Sequence, residues 1–233
     1  MHVCLLPTEI LFHIFTIRNN ESFRDFLVQL AVLARTCRKF KEPALDILWK
    51  DIIGFKPLIL CLPEGVVNTD RRGNLTLQRP FLAGEWNLID QYAPRVHSFT
   101  VTSRQLGMID NHFMQMLMSA PSPMSLFPNL RDLYWYDNRE RFFPLLRTFL
   151  GSTITLMKLG FASESPSSAQ PALLASLASR CPSIRELTLC VGHSAESLDA
   201  TCQALSGLRE LCHLYTGVLS RREFPSPGFF TVP

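Results

Sequence analysis

The chain lacks the features that would place it at once. It carries no charge of one dominant sign: 23 Lys and Arg oppose 20 Asp and Glu, a net of +3. So small an excess implies neither a nucleic-acid partner nor a membrane surface. The basic residues are scattered, apart from the pairs Arg71-Arg72 and Arg221-Arg222. No apolar run approaches the ~18 residues that spanning a bilayer requires. The opening residues, Met1-His2-Val3-Cys4, have no basic n-region, and Glu9 and His13 interrupt the apolar stretch behind them. No signal peptide is read there, so a cytoplasmic or nuclear location is expected. Seven cysteines fall at wide, irregular spacing. They fit reduced thiols used as small apolar residues, not a disulfide framework.

Catalytic signatures are missing too. There is no Gly-x-Ser-x-Gly, no phosphate-cradling glycine-rich loop and no His-Glu-x-x-His. Cys190-x-x-His193 and Cys212-His213 come nearest to metal ligands. Zinc sites bring paired ligands twice over at short spacing, and Cys181, Cys190 and Cys202 do not pair that way. No catalytic residue, metal or cofactor is therefore expected. Hydrophobic residues at 47% against 18% charged give a sizeable core. A chain of 233 residues makes one large domain or two small ones.

What is present begins with Leu5-Leu6-Pro7-Thr8-Glu9-Ile10-Leu11-Phe12-His13-Ile14-Phe15. Pro7 suits a first helical turn, and Glu9 complements the positive end of the helix dipole. Leu6, Ile10 and Ile14 form one row and Leu11 and Phe15 another, about 100° apart, making one wide apolar face. So short a helix is marginal alone. Phe23, Phe26, Leu27, Leu30 and Ala34 predict a second helix. A third run starts at Glu42-Pro43, with Leu45, Leu48, Trp49 and Ile52 on one side. Residues 4–52 thus read as three short helices with more apolar surface than they can hide among themselves. Such an excess predicts a partner.

Residues 53–92 read as a connection. Apolar pieces are punctuated by Pro57 and Pro63, and a turn falls at Asp70-Arg71-Arg72-Gly73-Asn74. Gly84 to Tyr92 looks helical. From 93 to 217 one phrase recurs, apolar-x-x-apolar-x-apolar. It is anchored at Val96, Leu130, Ile154, Ile184 and Leu208, at intervals of 34, 24, 30 and 24 residues. Each phrase predicts a short strand with alternate side chains facing in. The stretches 105–119, 140–150, 168–180 and 195–205 predict helices between them. One strand plus one helix cannot bury its apolar face; stacking neighbours does. The expected fold class is therefore α/β, a three-helix module followed by an irregular solenoid of parallel strands alternating with helices. Residues 218–233 hold no repeat and are expected to be a poorly ordered tail.

Leu6-Pro7-x-Glu9-Ile10-Leu11-x-x-Ile14-Phe15, Leu33-Ala34-x-x-Cys37-Arg38-x-Phe40 and Pro43-Ala44-Leu45-x-x-Leu48-Trp49 together closely resemble the F-box, in the phrasing of the large fungal F-box families. The repeated phrase resembles a degenerate leucine-rich repeat, a common companion of that module. The resemblance implies docking on a Skp-type adaptor, and through it on a cullin-based ubiquitin ligase. The adaptor-facing set it implies is Leu6, Pro7, Ile10, Leu11, Ile14, Leu33, Cys37, Arg38, Phe40, Leu48 and Trp49. One departure is the polar insert Arg18-Asn19-Asn20-Glu21-Ser22, longer than the usual connection.

The repeats would then hold a protein substrate. If Leu133 and Trp135 face the core, Tyr134 and Tyr136 face the open surface beside Thr100, Thr155, Thr188 and Arg209 or Cys212. The charged loop holding Asp137 and Arg139 is a second candidate for substrate contact, since binding residues concentrate on loops. The function implied is that of a non-catalytic substrate-recognition subunit of an SCF-type ligase. The alternatives are an F-box scaffold outside the ligase and an enzyme with an unrecognised site.

Overall fold

A computed structural model of the chain describes residues 6–17, 22–119, 125–160, 169–190, 202 and 205–216. The fold is α/β: three N-terminal helices, then parallel strands alternating with helices. The expected tail, and most of the expected helix over 195–205, lie outside the described residues.

Helix α1 spans Thr8–Thr16, α2 Phe23–Thr36 and α3 Arg38–Lys50. The Pro7 carbonyl accepts the first helical N–H groups, from Ile10 at 3.2 Å and Leu11 at 3.1 Å. Cys37 is extended (φ −154°, ψ 161°), which ends α2 and starts α3 at once. The third helix therefore begins earlier than Glu42-Pro43, and Pro43 sits inside it. Leu11, Phe15, Leu30 and Ala44 form a small buried cluster joining the three helices. Phe40 packs its ring edge-on against Phe15, with centroids 5.4 Å apart.

No connector separates α3 from the sheet. Strand β1, Asp51–Ile53, starts at the next residue. It pairs in parallel with β4, Ser98–Thr102, placing Ile52 opposite Phe99. Trp49 then holds on β1 the position that Val96 holds on β4. This first strand was not legible as a repeat, because it ends at Ile53 and Gly54 stands where the next inward residue would be. Strands β5 (Asp132–Tyr136), β6 (Leu156–Gly160), β7 (Glu186–Cys190) and β8 (His213–Thr216) complete a parallel sheet in the order β1-β4-β5-β6-β7-β8.

The strand entrances repeat one device. The His97 carbonyl accepts N–H groups from Arg131 (2.8 Å) and Asp132 (3.0 Å), and the Arg131 carbonyl from Thr155 (2.9 Å) and Leu156 (3.0 Å). The Thr155 carbonyl accepts from Arg185 (2.8 Å) and Glu186 (3.0 Å), and the Arg185 carbonyl from Cys212 (2.8 Å) and His213 (2.9 Å). The anchors Val96, Leu130, Ile154 and Ile184 are fully buried behind these entrances. Phe99, Leu133, Met157 and Leu187 follow in one inward row, and Val101, Trp135, Leu159 and Leu189 in the next.

The last phrase departs from its expected frame. Leu214 pairs with Leu187, so the anchor position is Leu211, three residues beyond Leu208. Leu208 enters the core on a turn before the strand, its N–H donating to the Leu205 carbonyl at 3.0 Å.

The stretch 53–92 is built into the core instead of lying between two units. Phe55, Leu58, Ile59, Leu75, Trp86 and Ile89 all join the cluster behind the sheet. It contains α4 (Lys56–Ile59), an antiparallel hairpin of β2 (Val67–Thr69) and β3 (Leu75–Leu77), and α5 (Ala83–Tyr92). The turn at Asp70 is closed by its Oδ1, which accepts N–H groups from Arg72 and Asn74, both at 2.8 Å. Gly73 turns the chain there at φ +85°, a conformation glycine adopts without penalty. Glu85, buried in the first turn of α5, pairs with Arg79 and accepts the Leu82 N–H at 2.7 Å.

The expected helix over 105–119 is two helices, α6 (Ser103–Gly107) and α7 (Asn111–Met118). Asp110 divides them. Its Oδ1 accepts the Phe113 N–H at 2.7 Å as an N-cap, while its Oδ2 takes the Leu77 N–H at 3.1 Å. Helix α8 (Phe143–Arg147), entered through a 3-10 turn, and α9 (Ala169–Arg180) lie within the expected ranges.

Candidate functional site

Two surfaces stand out. The first is the outer side of the N-terminal helices. Periodicity gave α1 one wide apolar face, and the structure divides it lengthwise. Leu11 and Phe15 turn inward. Ile10 (46% exposed) and Ile14 (42%), one turn apart, lie on the outside, and Ile17 (55%), the extended residue that follows the helix, is exposed too. On α2, Phe23 (44%), Val28 (56%) and Val32 (56%) are exposed as well. Six large apolar side chains thus stand in the open on two short helices and the residue after the first, the kind of patch that interaction sites show.

Of the expected adaptor-facing residues, Pro7, Ile10, Ile14 and Arg38 are exposed. Leu6, Leu33, Cys37, Phe40 and Leu48 are half-buried. Leu11 and Trp49 are buried and hold the fold together. Leu11 centres the small cluster, and Trp49 stacks on Tyr92 at 4.5 Å in the main core. Ile17, Val28 and Val32 are exposed apolar residues outside the expected set. The signal was there for Val28 and Val32: they are four apart and lie off the inward row of Phe26, Leu27, Leu30 and Ala34.

The second surface is the open face of the sheet. Leu133 and Trp135 point into the core and Tyr134 and Tyr136 point out, as the alternation required. The neighbours of Tyr134 in its row are Ile53, Thr100, Lys158, Thr188 and Tyr215. Thr100 and Thr188 fit the expectation. Lys158 stands where Thr155 was expected, and Tyr215 where Arg209 or Cys212 was. Lys158 Nζ lies 5.7 Å from the Tyr134 ring centroid and 4.0 Å from Glu186 Oε1. Burial pushes the Tyr134 hydroxyl up to about 12, with the Asp132 carboxylate adding to it. The phenol therefore stays a neutral donor. Burial raises Tyr136 likewise.

Asp137 does not face a partner. It is 1% exposed, and its Oδ1 accepts the Arg139 N–H at 2.8 Å. The Arg139 guanidinium donates to Asp137 Oδ2 from Nη2 at 2.6 Å and from Nε at 2.9 Å, and to the Ser103 carbonyl at 2.7 Å. Ser103 Oγ donates to the Tyr136 carbonyl at 2.9 Å. The Arg139 guanidinium also lies 4.6 Å over the Phe142 ring. This network ties the exit of β5 to the start of α6. Charge in the sequence marked the loop, but not that its charges satisfy one another.

Between α1, α3 and the strand entrances lies a cleft of 420 Å³ lined by Phe12, Asp46, Lys50, Asp51, His97, Arg131 and Asp132. Arg95 pairs with Glu42 and with Asp46, one of the lining residues, on α3. Burial raises the Asp51 carboxyl. It raises Asp132 as well, where the Asp51 carboxylate adds to the effect. Burial, then the Arg131 and Lys50 charges, lower His97. Among the described residues no three His, Cys, Asp or Glu side chains gather as a metal site.

The F-box-like family matches residues 3–53, the three helices and the first strand. No curated protein matches the chain. F-box domains generally bind Skp-type adaptors.

Proposed function

We propose that this protein is the substrate-recognition subunit of an SCF-type cullin ubiquitin ligase, of the fungal F-box type. The F-box-like helices bind a Skp-family adaptor, which reaches the cullin. The sheet, a degenerate leucine-rich-repeat-like array, holds a protein substrate. The chain does no chemistry. It raises the local concentration of substrate beside the charged ubiquitin-conjugating enzyme, so that transfer proceeds by proximity.

The observation that supports this reading most is the exposed pair Ile10 and Ile14 on the first helix of the F-box-like module, with Ile17 exposed just after it and Val28 and Val32 exposed on the next helix. Leu11 and Phe15 are satisfied inside the chain, so the outward isoleucines serve something else.

The test is Ile10→Asp with Ile14→Asp. Both side chains are outside the core, so the variant folds. Co-purification of a Skp-family adaptor, and of cullin with it, is lost. Normal adaptor capture by the double variant removes the proposal. Adaptor without cullin in the wild-type capture moves the protein to a scaffold role outside the ligase.

A further inference from the structure

The inward row of the sheet is closed at one edge and open at the other. Ile52, Phe99, Leu133, Met157 and Leu187 are all buried, and then Leu214 on β8 is 42% exposed. Its outward neighbour Tyr215 is 54% exposed, and all four residues of β8 are exposed. Among the described residues β8 pairs with β7 alone. The strand carries no Lys, Pro or bulge, the devices that keep other chains off a free edge.

The backbone of this edge is set to receive another strand. At each earlier entrance one carbonyl accepts two N–H groups from the next, in the series His97, Arg131, Thr155 and Arg185. The Cys212 carbonyl comes next in that series, and among the described residues no N–H donates to it. His213 donates its own N–H toward β7, to the Arg185 carbonyl at 2.9 Å. Successive residues of a strand turn their amides to opposite sides, so the Leu214 N–H and C=O point to the free edge. A strand running parallel to β8 uses all three groups. A second copy joined edge to edge by a two-fold axis would run antiparallel and leave this slanted parallel frame unused.

We infer that the substrate protein binds by adding an extended segment to the free edge of β8, parallel to it. The segment has the chain's own frame, apolar-x-x-apolar-x-apolar. Its three apolar residues fall beside Leu211, Leu214 and Thr216, and the middle one covers the exposed side of Leu214. Its outward side chains lie beside Tyr215, which continues the row of Tyr134, Lys158 and Thr188. Main-chain bonds supply the hold, and the alternate side chains select the segment. The substrate class is thus a protein that presents such a segment unpaired. The inference rests on the sheet being the substrate platform.

The probe is a fluorescent peptide copying residues 182–189, the β7 phrase, titrated into the full chain by anisotropy. One control is N-methylated at the amides copied from Glu186 and Thr188, which would reach the Cys212 and Leu214 carbonyls. The other has the same composition in an order that breaks the frame. The parent peptide binds, and each control binds about tenfold more weakly or not at all. The Leu214 amide exchanges fast in the free chain and slowly with the peptide bound. Leu214→Pro removes an N–H that β7 does not use, so the variant loses the peptide and still co-purifies the adaptor. Equal binding of the parent and methylated peptides, or an unchanged titration with the variant, overturns the inference. So does a Leu214 amide protected in the free chain: in a monomer the chain covers its own edge, and in a dimer a second copy does. Adaptor capture by the wild-type chain is read in parallel. Its failure counts against the ligase reading, and the peptide titration still decides the edge.

Discussion

Replacing Trp49 by alanine probes how the helical module and the sheet are joined. Trp49 is the last buried residue of α3 and also sits at the anchor position of the first strand. Its indole is 7% exposed and stacks on Tyr92 at 4.5 Å with an interplanar angle of 18°. Trp→Ala in a core costs roughly 3–5 kcal/mol. Loss of the stacked pair accounts for about 0.5–1.5 kcal/mol of that. Against a total stability of about 5–15 kcal/mol this is a large fraction. For a chain of this size the midpoint of thermal unfolding falls by roughly 6–20 °C. The assay is calorimetry with hydrogen exchange resolved to peptides. Because the indole belongs to the core behind the sheet, the amides of β4 and β5 lose protection together with α3, in one transition. Leu30→Ala, in the small cluster, instead raises exchange in α1 to α3 first. Unchanged protection of β4 and β5 in the Trp49 variant would refute that continuity.

Other perturbations have definite signs. The folded pKa of Asp132 is raised above its ordinary 3.8 by burial and the Asp51 carboxylate. Its ionisation therefore costs nothing below the unfolded value and destabilises increasingly as pH rises through the folded one. Asp132→Asn should raise the unfolding midpoint near pH 7 and leave it unchanged near pH 3; the reverse pattern would contradict the assignment. The Cys181 thiol, fully buried and pushed up to about 11 by burial, resists alkylation in the folded chain, while exposed Cys212 reacts. Mass spectrometry of the alkylated protein reads both. Leu211→Ala, at the anchor of β8, should loosen that strand's amides without unfolding β4 to β6, since solenoid strands depend mainly on their neighbours.

Much of this architecture was legible because alternation survives degeneracy. The phrases at Val96, Leu130, Ile154 and Ile184 need only apolar residues at fixed offsets, and strand geometry converts those offsets into inward rows. The misses have separate physical reasons. The first strand stops at Ile53, before Gly54, and borrows its anchor from a helix, so no phrase was visible. At Leu208 a turn supplies the apolar residue and shifts the frame by three. The wide face of α1 looked uniform because periodicity counts apolar residues without saying which of two rows finds a partner inside the chain. Leu11 finds Leu30 and Ala44; Ile10 and Ile14 stay exposed and outside that cluster among the described residues. Asp137 and Arg139 read as a loop open to a substrate, because the burial of Asp137 and the further bond from Arg139 to the Ser103 carbonyl, 34 residues before the aspartate, are set by the fold and not by the local sequence.

Hydrogen exchange of the full chain with and without a purified Skp-family adaptor bears most directly on the account. Protection should be gained across α1 and along α2 around Val28 and Val32, with β4 to β8 unchanged. An adaptor that fails to associate, or one whose only footprint lies on the sheet, contradicts it.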